Sequence, residues 1–169
     1  MTPRTLALPI ALAATTLLLA GCVTAPAPLQ GAYAPVSPDQ VGPGANPQVQ
    51  VRWGGRVVEV NPGPDRTCFQ MLSMPLDTSG RPVSGGNQTS GRFLACRSGF
   101  YDPALFTSDR EVTFTGRVAG HDQVRIGEYD YTLPRLDADV VYLWPERVDV
   151  QVIHHDPYPW GWGPRWWWY

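Results

Sequence analysis

Short runs in which apolar and polar residues alternate limit the folds that this chain can adopt. The clearest run places Val112, Phe114 and Val118 on one face and Thr113 and Thr115 on the other. A period of two is typical of a half-buried β-strand, and no stretch sustains the longer period of an amphipathic helix. The 18 prolines and 17 glycines favour many turns between short strands. The sequence therefore predicts an all-β fold.

The ordered part is expected to begin near Val49. We interpret Gly54-Gly55 as a bend or bulge within the first strand. Asp102 followed by proline predicts one helical turn. A turn is expected at residues 121–123, and a last edge strand over residues 148–152. About five or six short strands with glycine bends indicate a small closed or nearly closed barrel, and their order is compatible with an OB-like topology.

The first residues of the chain predict export. Arg4 precedes an apolar run over residues 6–19, which closes on Leu19-Ala20-Gly21-Cys22. A positively charged first region, a short apolar stretch and small residues before a cleavage site are typical of a signal peptide. The apolar run is shorter than the roughly 20 residues of a helix that spans a bilayer. The small residues before Cys22 favour the lipobox of bacterial lipoproteins. We expect residues 1–21 to be removed and Cys22 to be lipidated; the alternative is a secretory signal with an unrelated cysteine.

Two segments flanking the barrel lack an apolar period. Residues 22–48 are rich in proline and alanine and predict a disordered tether. The barrel domain is expected over residues 49–153, followed by a tryptophan-rich tail, residues 154–169. Indole rings favour membrane interfaces and binding hot spots, so we expect the tail to contact lipid headgroups or a partner near them. The alternative is a lid packed over the barrel. The contact is assigned to Trp160, Trp162, Trp166, Trp167 and Trp168.

The chain has three cysteines, Cys22, Cys68 and Cys96. If Cys22 is lipidated, an even pair is left in an oxidising compartment, where disulfides persist. Compartment and cysteine count therefore predict a Cys68–Cys96 disulfide, with two buried free thiols as the alternative.

Few residue patterns indicate catalysis. His154-His155-Asp156 is the only cluster of metal-ligand residue types, but neighbouring side chains on a strand point to opposite faces, and no further ligands are suitably spaced for zinc. The chain lacks a serine nucleophile elbow and a phosphate-binding loop. A net charge of −2 does not indicate the basic surface that binds nucleic acid. We expect no catalytic residue, metal site, cofactor or nucleic-acid partner.

Two residue sets have both a structural and a functional interpretation. Four acidic residues in the later strands of the predicted barrel could form an acid pair, but the favoured interpretation places them at solvated outer positions. They are Glu128, Asp130, Asp137 and Asp139. Four aromatic residues could line a ligand groove, with burial in the core as the favoured alternative: Trp53, Tyr129, Tyr131 and Trp144.

Several short motifs come in the order of a known family. They are Arg52-Trp53-Gly54-Gly55, Pro75-Leu76-Asp77, Gly80-Arg81-Pro82, Gly91-Arg92-Phe93-Leu94-Ala95, Gly99-Phe100-Tyr101-Asp102-Pro103, Val112-Thr113-Phe114-Thr115-Gly116, Ile126-Gly127-Glu128-Tyr129-Asp130-Tyr131 and Leu143-Trp144. With the lipobox, they resemble the Slp family of outer-membrane lipoproteins of Gram-negative bacteria. The resemblance implies an outer-membrane lipoprotein associated with starvation or stationary phase, in some members with acid resistance, and without an established enzymatic activity. The Cys68 and Cys96 pair and the tryptophan-rich end depart from the family pattern.

These observations predict a lipid-anchored protein on the periplasmic face of the outer membrane. Its expected role is non-enzymatic, either structural or protective under stress. The alternative is an envelope binding module that holds a small ligand, a glycan or a partner protein in the aromatic groove. The expected partners are the membrane, through the lipid anchor, and an envelope protein.

Overall fold

The computed structural model describes residues 24–45, 47–84 and 88–147. Its five strands are β1 (Gln50–Pro62), β2 (Arg66–Ser73), β3 (Arg92–Ser98), β4 (Glu111–Ile126) and β5 (Tyr129–Leu143). They close into a barrel in the order β1-β2-β3-β5-β4, with β3 and β5 parallel and the other pairs antiparallel. The predicted all-β, OB-like barrel is confirmed. None of the helical turns in these residues has the length and hydropathy of a membrane-spanning helix. The edge strand expected over 148–152 lies outside them.

Aromatic rings fill the interior of the barrel. Phe69 and Phe114 are fully buried with ring centroids 5.4 Å apart, and Trp53 meets Phe93 edge to face at 5.3 Å. Burial of each such ring contributes on the order of 2 kcal/mol, and edge-to-face contacts add to that. The alternation seen in the sequence therefore directs one face of each strand into a single core.

One end of the barrel is closed by the connection between β3 and β4. Asp102 accepts a 2.9 Å hydrogen bond from the amide of Ala104 through its side chain, and its carbonyl accepts one from Leu105 at 3.0 Å. The resulting turn is the one predicted at Asp102. It places the buried ring of Phe106 5.0 Å from that of Phe69.

The opposite end is closed by the segment that precedes β1, and this corrects the expected disordered tether. Residues 24–45 form two short 3-10 turns, Ala27–Leu29 and Pro38–Gln40, that lie against the barrel. Leu29 is 0% exposed, and Val41 packs into the core cluster. The proline content does favour extended backbone, as predicted. The apolar residues between the prolines are ordered because the open end of the barrel gives them a surface to pack on.

Two glycines allow neighbouring strands to approach each other closely. A Cβ on Gly55 would stand 1.9 Å from the carbonyl oxygen of Leu72, and one on Gly116 would stand 2.2 Å from that of Asp137. The bend expected at Gly54-Gly55 is therefore a close approach within a continuous strand. The irregularity in the β1–β2 register falls further along, between Val57 and Glu59.

Strands β4 and β5 continue past the barrel as a two-stranded ribbon, residues 121–134, which we call the arm. The turn expected at residues 121–123 is absent, since these residues pair with β5, beginning with His121 opposite Pro134. The chain instead reverses at Gly127 and Glu128, where Gly127 has a φ of +62°. A two-residue hairpin loop needs such a conformation, and glycine adopts it at little cost.

Candidate functional site

The loop between β2 and β3 lies across the outside of β1 and β4. Its shape is set by Asp77, whose side-chain oxygen accepts hydrogen bonds from the amides of Ser79 at 2.8 Å and Arg81 at 3.0 Å. Gly80 follows with a φ of +81°, and its carbonyl accepts a 2.7 Å hydrogen bond from Thr113 on β4. An aspartate followed by small residues folds locally into such a turn. The turn presents Arg81 to the start of β4.

Glu111, the first residue of β4, forms the centre of a polar network that we call the Glu111 cluster. Its side chain is 9% exposed, and its carboxylate accepts hydrogen bonds from the guanidinium nitrogens of Arg81 at 2.6 Å and Arg147 at 3.0 Å. The hydroxyl of Ser84 donates to the same carboxylate. Arg147 also donates to the carbonyl of Pro82 at 2.8 Å. The cluster thus joins the loop, β4 and the chain beyond β5.

The electrostatics of the cluster favour the ionised carboxylate. Burial of Glu111 raises its pKa, but the hydrogen bonds from Ser84, Arg81 and Arg147 outweigh burial and hold the pKa below its ordinary value of 4.5. The pKa of Asp77 is also lowered, because hydrogen bonds from Ser79 and the amide of Arg81 outweigh its slight burial. A charged Glu111 bound by two arginines is stabilised rather than poised to exchange a proton near neutrality.

Trp144 extends the cluster along the outside of the barrel. Its indole nitrogen donates a 2.9 Å hydrogen bond to the hydroxyl of Thr113, and the guanidinium carbon of Arg81 lies 5.5 Å from the centre of its ring. Arg110 donates to the carbonyl of Trp144 at 3.1 Å and pairs with Glu146 at 3.3 Å. Three arginines of this region are therefore engaged by carboxylates and carbonyls. The arrangement fastens the loop and the end of β5 to the barrel.

A second set of contacts holds the N-terminal segment. The indole nitrogen of Trp53 donates a 2.6 Å hydrogen bond to the carbonyl of Val36. Arg52 donates to the carbonyl of Leu29 at 3.1 Å, and its guanidinium carbon lies 5.4 Å from the centre of the Tyr33 ring. Between this segment and the start of the β2–β3 loop lies an open cleft of about 490 Å³ that includes Arg52 and Trp53.

The four aromatic residues considered as a ligand groove do not come together. Trp53 lies in the core and Trp144 on the outside under Arg81, both buried. Tyr129 and Tyr131 lie on the arm, 73% and 47% exposed, with ring centroids 6.5 Å apart. The two tryptophans are therefore buried, as the favoured interpretation expected. The two tyrosines are exposed on the arm instead of buried in the core.

Cys68 and Cys96 are direct partners across β2 and β3. Their Cα atoms are 4.1 Å apart and their sulfurs form a disulfide. The strand register brings the thiols together, which compartment and cysteine count could not show.

The four acidic residues considered as a possible acid pair lie in separate surroundings. Asp137 forms a 3.4 Å ion pair with Arg135, and Asp139 accepts a 3.1 Å hydrogen bond from Gln50. Glu128 lies in the hairpin turn of the arm, and Asp130 pairs across the arm with Arg125. No carboxylate pair for acid–base chemistry is formed by these four.

The described part of the chain contains no group of His, Cys, Asp and Glu residues that could hold a metal ion. His154-His155-Asp156 lies outside the described residues, as do Cys22 and the five tail tryptophans assigned to membrane or partner contact: Trp160, Trp162, Trp166, Trp167 and Trp168.

Sequence reasoning missed Glu111 and the residues that bind it. The contacting residues are about 30 positions apart in the chain, so only the tertiary fold brings Arg81 to Glu111. The arm, in contrast, had a local signal. The motif Ile126-Gly127-Glu128-Tyr129 places a glycine first in a two-residue loop between alternating apolar residues, which is a hairpin signature.

The described residues form a small OB-like barrel, closed at one end by the ordered segment that precedes β1, and the sequence ahead of that segment carries the predicted lipobox. The family model described as "Outer membrane lipoprotein Slp family" matches residues 19–169. Two relatives are from Escherichia coli (strain K12). "Uncharacterized lipoprotein YeaY" is 32% identical over 89% of this chain and 79% of its own length, and "Outer membrane protein Slp" is 29% identical over 88% and 80%.

The chain belongs to the outer membrane lipoprotein Slp family. It is an outer-membrane lipoprotein, and the resemblance noted in its motifs is confirmed. Among solved structures, the chain is similar to a small single-stranded DNA-binding protein from Streptomyces coelicolor, with a TM-score of 0.39 and 11% identity, over 57% of this chain and 94% of that protein.

Proposed function

We propose that this lipoprotein is a non-enzymatic envelope protein whose barrel is held close to the periplasmic face of the outer membrane, where it serves a structural or stress-protective role. The observation that carries the proposal is the ordered packing of residues 24–45 against the barrel, anchored by the buried Leu29. If Cys22 is lipidated, only a few residues separate the lipid from the folded body. The barrel is then kept at the membrane surface instead of being released on a long tether.

The polar clusters of the described residues support a structural role. The carboxylate of Glu111 is bound by Arg81, Arg147 and Ser84, and these contacts fasten loops. A general base would need access to substrate and a pKa near the working pH, whereas Glu111 is buried with a lowered pKa.

The anchor is tested on the native protein. Mass spectrometry of the mature product should find an N-terminal, acylated Cys22, and the protein should fractionate with the outer membrane. An unmodified residue 22 together with recovery in the soluble fraction would overturn the anchor. A strain without the protein should lose envelope integrity in stationary phase, with rescue by the natural protein and not by Cys22→Ser.

The tryptophan-rich tail, residues 157–169, is proposed as a second membrane or partner contact. A Cys22→Ala form should bind vesicles of outer-membrane phospholipids, and deletion of residues 157–169 should abolish that binding. Equal binding by both forms would contradict a role for the tail.

A binding module is the second candidate function. It is favoured by the open cleft beside Arg52 and Tyr33, where a guanidinium lies near an aromatic ring. A ligand there would be recognised by charge and stacking. Loss of ligand capture by Arg52→Gln, with the barrel still folded, would support this candidate.

A further inference from the structure

The arm has one apolar face and one polar face. Val124 lies directly opposite Tyr131, and Ile126 opposite Tyr129, so these four side chains share a face of the two-stranded ribbon. The other face carries polar pairs, among them Arg125 opposite Asp130. Such a ribbon cannot bury its apolar face within itself, because a two-stranded hairpin has no second layer.

On the apolar face of the arm, the two tyrosines are exposed and Val124 and Ile126 are half-buried. Tyr129 is 73% and Tyr131 47% exposed. A tyrosine combines an apolar ring with a hydroxyl that prefers water, and this combination places tyrosines at the boundary between a bilayer and the aqueous phase.

The arm leaves the barrel at the end that the N-terminal segment closes. The carbonyl of Val41 lies 3.1 Å from the Nε2 atom of His121, at the base of the arm. The base is held by Arg135, which donates to Asp122 at 3.0 Å and to the carbonyl of Ala119 at 3.3 Å. The arm is therefore a fixed extension of the end at which Val41 of the N-terminal segment lies, and the Ala27–Leu29 turn nearer the anchor contacts β4 and β5, the strands that form the arm.

The arm and the anchor have comparable reach. Cys22 lies seven positions before the buried Leu29, and that length of chain spans at most about 25 Å. The six residues of β4 from His121 to Ile126 extend about 20 Å beyond the barrel. A bilayer that holds the lipid of Cys22 is thus within reach of the arm.

We propose that the apolar face of the arm, formed by Val124, Ile126, Tyr129 and Tyr131, lies in the lipid headgroup region of the membrane that carries the anchor. The proposal rests on the lipid anchoring proposed above. Arg125 is balanced by Asp130, and Glu128 adds a negative charge at the turn. The contact is therefore driven by the apolar and aromatic surface. We expect the arm to bind zwitterionic lipid, with little dependence on salt concentration.

The test uses the full lipidated protein in phosphatidylethanolamine vesicles that contain a lipid with a photoreactive diazirine near its headgroup. Trypsin cleavage after Arg125 and Arg135 releases residues 126–135, which hold both arm tyrosines. Cleavage after Arg97 and Arg110 releases residues 98–110, an internal control from the opposite end of the barrel. The control includes Tyr101 and the exposed Phe100 and Leu105, at 72% and 59%. A water-soluble diazirine gives the background labelling of each peptide.

For each peptide, labelling by the lipid probe is divided by labelling by the water-soluble probe. This ratio should be at least about fivefold higher in residues 126–135 than in residues 98–110. A ratio that is equal in the two peptides, or higher in 98–110, would overturn the proposal. So would protection of the arm tyrosines from nitration in whole envelopes but not in pure lipid vesicles, because that result assigns the face to a protein partner. The fraction of protein recovered on the vesicles is measured in parallel. Full recovery without arm labelling would reject the arm contact and leave the anchor intact.

Discussion

The indole nitrogen of Trp53 donates a 2.6 Å hydrogen bond to the backbone carbonyl of Val36. This contact joins a core residue of β1 to the segment that leads back to the lipobox. One side chain thus serves both the packing of the barrel and the position of the barrel relative to its anchor.

Replacing Trp53 by phenylalanine should release the N-terminal segment. The variant keeps an aromatic ring in the core but loses the hydrogen bond to Val36, which should cost about 1 to 3 kcal/mol of unfolding free energy, including the loss of packing volume. Chemical denaturation measures the cost, and limited proteolysis should show earlier cleavage within residues 24–45. Tyr33→Phe is the control, because the Tyr33 hydroxyl bonds only locally to the Gln30 carbonyl. Equal protease resistance of W53F and the natural protein would contradict the prediction.

An alanine at Gly55 should destabilise the barrel strongly. The added Cβ would stand 1.9 Å from the carbonyl oxygen of Leu72, so β1 and β2 must separate, at a cost of about 3 kcal/mol. Gly42→Ala is a matched control, since no atom lies within 4 Å of a Cβ at Gly42, and its effect should stay within about 0.5 kcal/mol. Thermal unfolding compares the two variants. Equal midpoints would show that the strands tolerate the added methyl group.

The Glu111 cluster should make stability depend on acid pH. Because the folded-state pKa of Glu111 is below its ordinary 4.5, its contribution is fully present above that value and is lost as pH falls through the folded-state pKa. Denaturation midpoints measured between neutral pH and pH about 3 should therefore fall, and Glu111→Gln should flatten the dependence. The variant should also cost about 2 kcal/mol at neutral pH, because two arginines lose their charged partner. Glu146→Gln, at an exposed partner of Arg110, serves as the control. An unchanged pH profile in E111Q would assign the acid sensitivity to other groups.

The Cys68–Cys96 disulfide should stabilise the folded barrel. Its 28-residue separation predicts a contribution of about 3 to 4 kcal/mol from restriction of the unfolded chain. Reduction, or replacement of both cysteines by serine, should lower the free energy of unfolding by that amount, measured by chemical denaturation. Thiol titration of the non-reduced, denatured native protein should find no free thiol at either position. Two titratable thiols would contradict the bond.

Local patterns predicted the strands that form the barrel. The alternation of Val112, Phe114 and Val118 with Thr113 and Thr115 gives the inward and outward faces of β4 as they occur in the structure. The single turn at Asp102 was also predicted, since a capping aspartate acts on amides only a few residues away. These features depend on interactions between near neighbours, and such interactions are visible in the sequence.

The N-terminal segment shows where local reasoning fails. Its prolines correctly indicate extended backbone, but whether extended backbone is ordered depends on a surface to pack on. That surface is the end of the barrel, where Val36 and Val41 meet the core. The same limit explains the arm: residues 121–123 have turn-forming character, yet pairing with β5 keeps them in a strand.

The family, the all-β class and the faces of the strands follow from short stretches of residue type and spacing, and the same kind of local pattern predicts the export leader. The folded barrel is needed to show that Arg81 binds Glu111, that Cys68 faces Cys96, and that Tyr129 and Tyr131 lie on a projecting arm. Those contacts join residues distant in the chain or depend on strand register. Their free energy is gained only when the whole barrel closes, so no local stretch carries their signal.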